Sequence, residues 1–447
     1  MAASCPQAGH LQMFSNDGVT VKPLTAQDCQ TDLVARVAQA LEDLKNLPPL
    51  ERGPSDLDFN FINVAPMTFL EQRADKLIFD LDPHSSACGP GTVAYSRERT
   101  SRTFNICPYA AFATPLQFQS FIIHEARHLN GPEYHGGIDA NHPDDEPHAY
   151  PHAICQRGVL KGMWACDATM SNGGSYEIQT ELMLKIAATK AIPQRTRDEA
   201  RMTAVYLLLH HFIELPFEYK TGALLLSENG VLSFYDGVTA TEIKRDIPDR
   251  DIVGVNNLPT ILDPEKGTAI NYWNGLEMPA LGEFSQLFVG FAPEKQRQVL
   301  DVYYGGVKAC YLYTHSVYCE LVDGNVTLDL PPEIEPTQFA AMDLGEDILS
   351  IVTKSGSLYY LPLQKFSYEW SVDDLILNPR LGGFRSVTMI PDGFHAIPGG
   401  FNAGIWLDGT LVKFEHPDQQ IPVPEFAGQR FKKIMGPFIW SDRLLQL

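Results

Sequence analysis

Thr114-Pro-Leu-Gln-Phe-Gln-Ser-Phe-Ile-Ile-His124-Glu-Ala-Arg-His128-Leu-Asn-Gly131 decides how the first half of this chain folds. Thr114 is placed to cap a helix, Pro115 suits the first helical position, and Gln117 can close a capping box. Leu116, Phe118, Phe121, Ile122 and Leu129 recur at a mostly helical spacing. Gly131 is a plausible stop. The spacing predicts a helix from about 115 to about 130 with one apolar flank packed. On that helix His124 and His128 lie four apart on one face, so both can reach a single metal ion. Glu125, directly after the first histidine, can take a proton from an attacking water.

The run is the H-E-x-x-H signature, and it resembles the active helix of zincin-type zinc metallopeptidases. The resemblance implies a Zn2+ cofactor held by His124 and His128, with Glu125 as general base and a third ligand from elsewhere. His128-Leu-Asn-Gly131-Pro-Glu-Tyr-His135 is similar to the metzincin pattern H-x-x-G-x-x-H, with His135 one residue late. The wider run through His152-Ala-Ile-Cys155, Cys166-Asp167 and Gly173-Gly-Ser-Tyr176 resembles a group of bacterial exported zincin-like proteins. In those, a histidine just ahead of the first cysteine follows the metal helix. On that resemblance His152 is the first choice for third ligand, and a Cys155–Cys166 bridge would hold it beside the metal. His135 is second, and Glu177 or Glu181 on the following helix is third. Tyr176 is the candidate donor to an oxyanion. Asp167 would orient a ligating imidazole, and Arg127, on the opposite face, reads as structural.

A chain of 447 residues is too long for one compact core. With 44% hydrophobic and 20% charged residues it reads as globular. Its 34 Gly and 32 Pro point to many turns. The net charge of −21 argues against a nucleic-acid partner and an anionic membrane surface. The longest apolar stretch, Val205 to Leu209, falls far short of the ~20 residues of a membrane span.

Eight cysteines form four local couples, Cys5/Cys29, Cys88/Cys107, Cys155/Cys166 and Cys310/Cys319, and none makes a C-x-x-C knuckle. Local pairing is the simplest expectation and suits an oxidising compartment. Cys310 and Cys319 flank a sequence that reads as a hairpin. Met1-Ala-Ala-Ser-Cys5 has no charged or apolar region ahead of it, so no signal peptide is read. Ala-Ala-Ser-Cys is similar to the end of a bacterial lipoprotein signal, which would put lipid on Cys5. The expected location is secreted, periplasmic or outer-membrane-associated.

Residues 1 to 30 read as irregular and Thr31 to Leu47 as an amphipathic helix. Leu57–Phe61, Lys76–Leu81, Thr92–Tyr95 and Thr103–Cys107 read as strands ahead of the metal helix, the order of an α+β zincin-like domain. The loop 131–153 carries His135, His142, His148 and His152, and its Asp144-Asp145-Glu146 run lacks the spacing of a calcium loop. Two helices follow, one from about Ser175 to Lys190, the other capped by Thr196 and Glu199 and ending near Leu215. From about 219 a strand–turn–strand unit repeats at Ala223–Gly237, Ile348–Leu361 and Ala403–Phe414. Weaker copies lie at Tyr311–Val322, Lys266–Trp273 and Phe438–Leu447. A period of about forty residues resembles β-propeller blades of the chromosome-condensation-regulator type. The expected fold is an α+β zincin-like domain over 1–218 and an all-β domain over 219–447, a propeller of five or six blades, with a β-sandwich as the alternative.

Three functions fit these residues. The first is a secreted zinc metallopeptidase acting on a peptide or protein substrate, its propeller docking substrate or a cell-envelope component. The second is a non-catalytic zinc-containing envelope binding protein, and the third a zinc hydrolase of a non-peptide amide.

Overall fold

A computed structural model describes residues 11–247 except 26, 83, 89–91, 98–99, 109, 111–112, 130–149 and 157–163. It also describes 253–447 except 255–259, 264–267, 272–276, 280–298, 305–308, 322–323, 344–347, 363–374, 391–400 and 415–418. The chain divides into two compact units, one of 1–156, 162–216 and 447, the other of 157–161 and 217–446. His135, His142, His148, Cys5 and the Asp144-Asp145-Glu146 run lie outside the described residues.

The first unit holds a five-stranded mixed sheet. Its strands are β1 (Gln12–Asn16), β2 (Val21–Pro23), β3 (Lys76–Asp80), β4 (Ala94–Ser96) and β5 (Thr103–Ile106), in the order β2-β1-β3-β5-β4. β1, β3 and β5 run parallel, while β2 and β4 are antiparallel edges. Residues 12–23 are therefore not irregular. They form a hairpin whose Asp17-Gly18 turn is fixed by the Asp17 carboxylate accepting from Val19 and Thr20 N–H. The expected strand at Leu57–Phe61 is absent, because the Asp58 carboxylate captures Gly53 and Asn60 N–H and closes a local turn.

Five helices complete this unit: α1 (Asp32–Lys45), α2 (Pro66–Glu71), α3 (Pro115–Arg127), α4 (Ser175–Ala188) and α5 (Gln194–His210). α3 starts as its sequence dictates, with Thr114 and Gln117 forming both halves of a capping box. α5 begins before Thr196, which does not cap it; Pro193, its φ fixed by the ring, sets the entry. It also ends early, because the backbone of 211–214 turns away to pair with Asp167 and Ala168. α4 packs against both α3 and α5 and is buried nearly all round, including Ser175, Glu177, Gln179, Glu181 and Lys185. Polar side chains in such a helix must find partners within the protein.

The second unit is built of four-stranded antiparallel sheets. Four are meanders of consecutive strands, spanning 253–279, 299–329, 336–382 and 384–422. A fifth sheet combines β8 (Lys220–Ser227), β9 (Leu232–Tyr235) and β10 (Ala240–Lys244) with the last strand, Phe431–Trp440, which pairs antiparallel to β8. First strands of successive sheets lie against one another, a propeller-like arrangement. Buried clusters fill the spaces between sheets, as where Leu312, Val317 and Leu328 meet Phe339, Leu349 and Ile351. Among the described residues four blades are self-contained meanders, where five or six blades were expected. The final segment is not another strand–turn–strand copy but a single strand that completes the sheet begun at Lys220.

Three disulfides join Cys88–Cys107, Cys155–Cys166 and Cys310–Cys319. The last links residues directly opposite on neighbouring strands. Cys29 is bonded as well. No described helix is long and apolar enough to cross a membrane.

Candidate metal centre

His124 projects from the last turn of α3 and His128 is its C-cap; both are buried, as is Glu125 between them in sequence. The third member comes from a different element. β6 (Ala153–Ile154) and β7 (Trp164–Cys166) form a small hairpin, and His152 immediately precedes β6. The His124, His128 and His152 Nε2 atoms form a nearly equilateral triangle with edges of 3.2, 3.2 and 3.3 Å. Among the described residues this is the one group of three or more ligand-type side chains close enough to share an ion.

The outer ring nitrogens explain why the inner ones converge. Ser120 donates its hydroxyl to the Gln117 carbonyl, so its oxygen accepts from Gln179 Nε2 at 2.9 Å. That orients Gln179 Oε1 towards His124 Nδ1, 3.0 Å away. His124 therefore carries its proton on Nδ1 and turns a lone pair inward from Nε2. His152 Nδ1 lies 3.5 Å from the acceptor-only Asp167 carboxylate, which favours the same tautomer. His128 Nδ1 meets the Ser175 hydroxyl at 3.2 Å. Lone pairs facing each other at this range repel unless a cation lies between them. A tetrahedral zinc site with metal–nitrogen bonds of about 2.0–2.1 Å needs nitrogen–nitrogen edges of about 3.3–3.4 Å, close to those observed. The three imidazoles could thus hold a metal ion.

Helix α4 organises all three outer partners. Ser175 and Gln179, one turn apart, serve His128 and His124, and Asp167 accepts the Glu177 N–H at 2.9 Å while flanking His152. Gly174 is required for this, since a Cβ there would fall within 2.3 Å of the Asp167 carboxylate. Sequence reasoning missed Ser120, Ser175 and Gln179. The available signal was Ser175 and Gln179 four apart on one helix, and Ser120 four before His124 on another. Gln179→Leu is expected to weaken metal binding by about 10–100-fold, by freeing the His124 ring. Competition against a chromophoric chelator measures it, and an unchanged affinity would refute the orienting role.

Burial holds His124 well below the ordinary histidine pKa, aided by His128, His152 and His211 nearby, so its imidazole is in the neutral, ligating form. Burial also raises the Glu125 carboxyl to about 8, with the Ser96 hydroxyl on edge strand β4 working against it. Glu125 Oε2 has no hydrogen-bond partner among the described residues.

Other expected residues fall as follows. The Tyr176 ring packs against His124 and His152, with centroids 4.4 and 4.8 Å away, and stacks on His211 at 3.9 Å. His211, buried and neutral with its pKa pushed down to about 3, is fixed by Nδ1 to the Ala165 carbonyl at 2.8 Å. Burial raises the Tyr176 phenol well above its usual range. Glu181 is committed elsewhere, accepting from Phe61 N, Ile62 N and Lys185. Glu177 accepts from Gly173 N. Neither glutamate joins the histidine triangle. Arg127 donates to the Gly173 carbonyl at 2.7 Å and lies over the Tyr150 ring.

No known family model matches the chain. No curated protein matches it either. Among solved structures, YCF48 bound to D1 peptide is 11% identical, with 47% of this chain and 56% of that chain covered and a TM-score of 0.20. The computationally designed Ika8 protein is 10% identical, over 45% and 61%, at 0.21. BamB from Moraxella catarrhalis is 10% identical, over 44% and 56%, at 0.19. The chain thus spans less than two thirds of each of these proteins, and similarity at this level identifies neither a family nor an activity.

Proposed function

We propose that this protein is a zinc-dependent hydrolase of peptide bonds, a metallopeptidase of zincin type. The observation that carries the reading is the convergence of His124, His128 and His152 at mutual distances of 3.2–3.3 Å beside the buried Glu125. A zinc ion held there would supply a Lewis acid that acidifies a water, polarises a carbonyl and restores the charge of Glu125. Glu125 takes the proton of the attacking water and passes it to the leaving amine. Tyr176, clamped by His211, is the donor assigned to the developing oxyanion. The propeller-like unit serves as a docking surface for substrate or for a cell-envelope component. The disulfides suggest an oxidising compartment, extracellular or periplasmic.

The reading is tested by stripping the full chain of metal, restoring one equivalent of zinc, and following an unfolded protein substrate by mass spectrometry. Cleavage is expected only after zinc is restored. A zinc-loaded, folded protein that cleaves nothing would instead support the non-catalytic envelope binding protein.

A further inference from the structure

We infer that Arg127 is a positioning residue for the metal centre. Its guanidinium holds two pieces of chain against the metal helix, the segment that carries His152 and the turn that presents Ser175. By fixing both it raises the affinity of the three imidazoles for zinc. The inference concerns the centre itself and does not depend on peptide hydrolysis.

Arg127 immediately precedes His128 on α3 and is 3% exposed. Its Nε donates to the Gly173 carbonyl at 2.7 Å, and its guanidinium carbon lies 3.7 Å from the centre of the Tyr150 ring. Each contact leads to a different part of the centre. Gly173 and Gly174 form the entry to α4, whose first residue is Ser175, the partner of His128 Nδ1. Tyr150 leads through Pro151 to His152. Arg127 and His128 are neighbours, and Tyr150 and His152 are two residues apart. The ring contact and the histidine triangle therefore join the same two segments.

Both anchored segments have backbone that the surroundings must hold. Tyr150 has a φ of +56°, a left-handed conformation that a bulky residue rarely adopts. Such a residue persists only where its environment over-determines it. The guanidinium on the ring face supplies a restraint. Pro151, whose φ is fixed by its own ring, passes that restraint on to His152. Gly173 has a φ of +71°, and a Cβ there would lie 2.7 Å from Arg127 Nη2, so this glycine makes room for the guanidinium. Glu177 on α4 accepts the Gly173 N–H, so the turn is gripped from α3 and α4 together.

A metal that takes ligands from separate segments must order those segments unless the fold has already done so. Helix geometry alone fixes His124 relative to His128. His152 has no such constraint. The Cys155–Cys166 bridge pins the chain just after it, and Arg127 on Tyr150 pins the chain just before it.

Zinc affinity, measured by competition with a chromophoric chelator, tests this, beside the melting temperature of the metal-free protein. Arg127→Met is expected to weaken zinc binding by about 10–100-fold. Arg127→Lys is expected to fall with it, because an ammonium cannot lie flat on the ring and reach the Gly173 carbonyl at once. Tyr150→Leu is expected to weaken binding by about tenfold or more, whereas Tyr150→Phe, which keeps the ring, leaves it unchanged. A merely structural Arg127 would lower the metal-free melting temperature and leave the affinity of the folded protein as in wild type, and that outcome overturns the inference. Equal losses in Tyr150→Phe and Tyr150→Leu overturn it as well. Where Arg127→Met does not fold, the Tyr150 pair decides. Folded wild type that binds no zinc would overturn the centre and this inference together. Wild type that binds zinc but cleaves nothing ends the hydrolase reading alone, and the affinities of the variants still decide the role of Arg127.

Discussion

Glu125→Gln is expected to lower peptide hydrolysis by about 10²–10⁴-fold while zinc stays bound at wild-type stoichiometry. The two side chains have nearly the same shape, so the buried position beside His124 and His128 is preserved. What changes is proton chemistry. Glu125 is fully buried, its carboxyl is pushed up to about 8 by that burial, and its Oε2 has no hydrogen-bond partner among the described residues. An unpartnered buried carboxyl oxygen costs stability, a cost that a catalytic role would explain. An amide cannot accept the water proton or return it to the leaving nitrogen. The variant should therefore be at least as stable as wild type and fail only in turnover. Single-turnover rates with a quenched-fluorescent peptide, beside zinc content by mass spectrometry, separate the two effects. A rate within tenfold of wild type would remove Glu125 from the mechanism.

The two histidines on α3 could be found because helix period, capping box and apolar flank are all local signals, and they agree. The strands of the sheet were found where apolar runs were long enough, as at Lys76–Asp80, and missed where short polar strands flank an Asp-Gly turn, as in residues 12–23. His152 is a different case. It lies beyond a histidine-rich stretch of sequence in which no periodicity selects one residue, so only a resemblance to other proteins pointed to it. Ser175 and Gln179 were missed because polar residues on a helix ordinarily mark a solvated face, whereas α4 is enclosed by α3 and α5. Hairpins of the propeller-like unit show as strand–turn–strand repeats. The closure between Lys220–Ser227 and Phe431–Trp440 joins segments far apart in sequence and leaves no local trace.

Removing His152 tests the centre more severely than removing any outer partner. His152→Ala leaves two imidazoles on one helix, and zinc affinity should fall by more than the about 10–100-fold expected for a lost orienting group. Zinc that binds the folded protein alone stabilises it by about 2.7 kcal/mol at a hundredfold excess over Kd, and about 4 kcal/mol at a thousandfold excess. In wild type a strong chelator should therefore lower the melting temperature of the first unit by several degrees, and zinc should restore it. In His152→Ala the chelated and zinc-treated melts should coincide. The hairpin itself should survive, because the Cys155–Cys166 bridge and the pairing of Asp167 with residues 211–213 do not depend on the imidazole. His135→Ala provides the contrast: with His124, His128 and His152 all in place it should retain stoichiometric zinc. Zinc retained in His152→Ala but lost in His135→Ala would transfer the third position to His135. Zinc absent from folded wild type would leave three facing lone pairs without a cation and would end the metallopeptidase reading altogether.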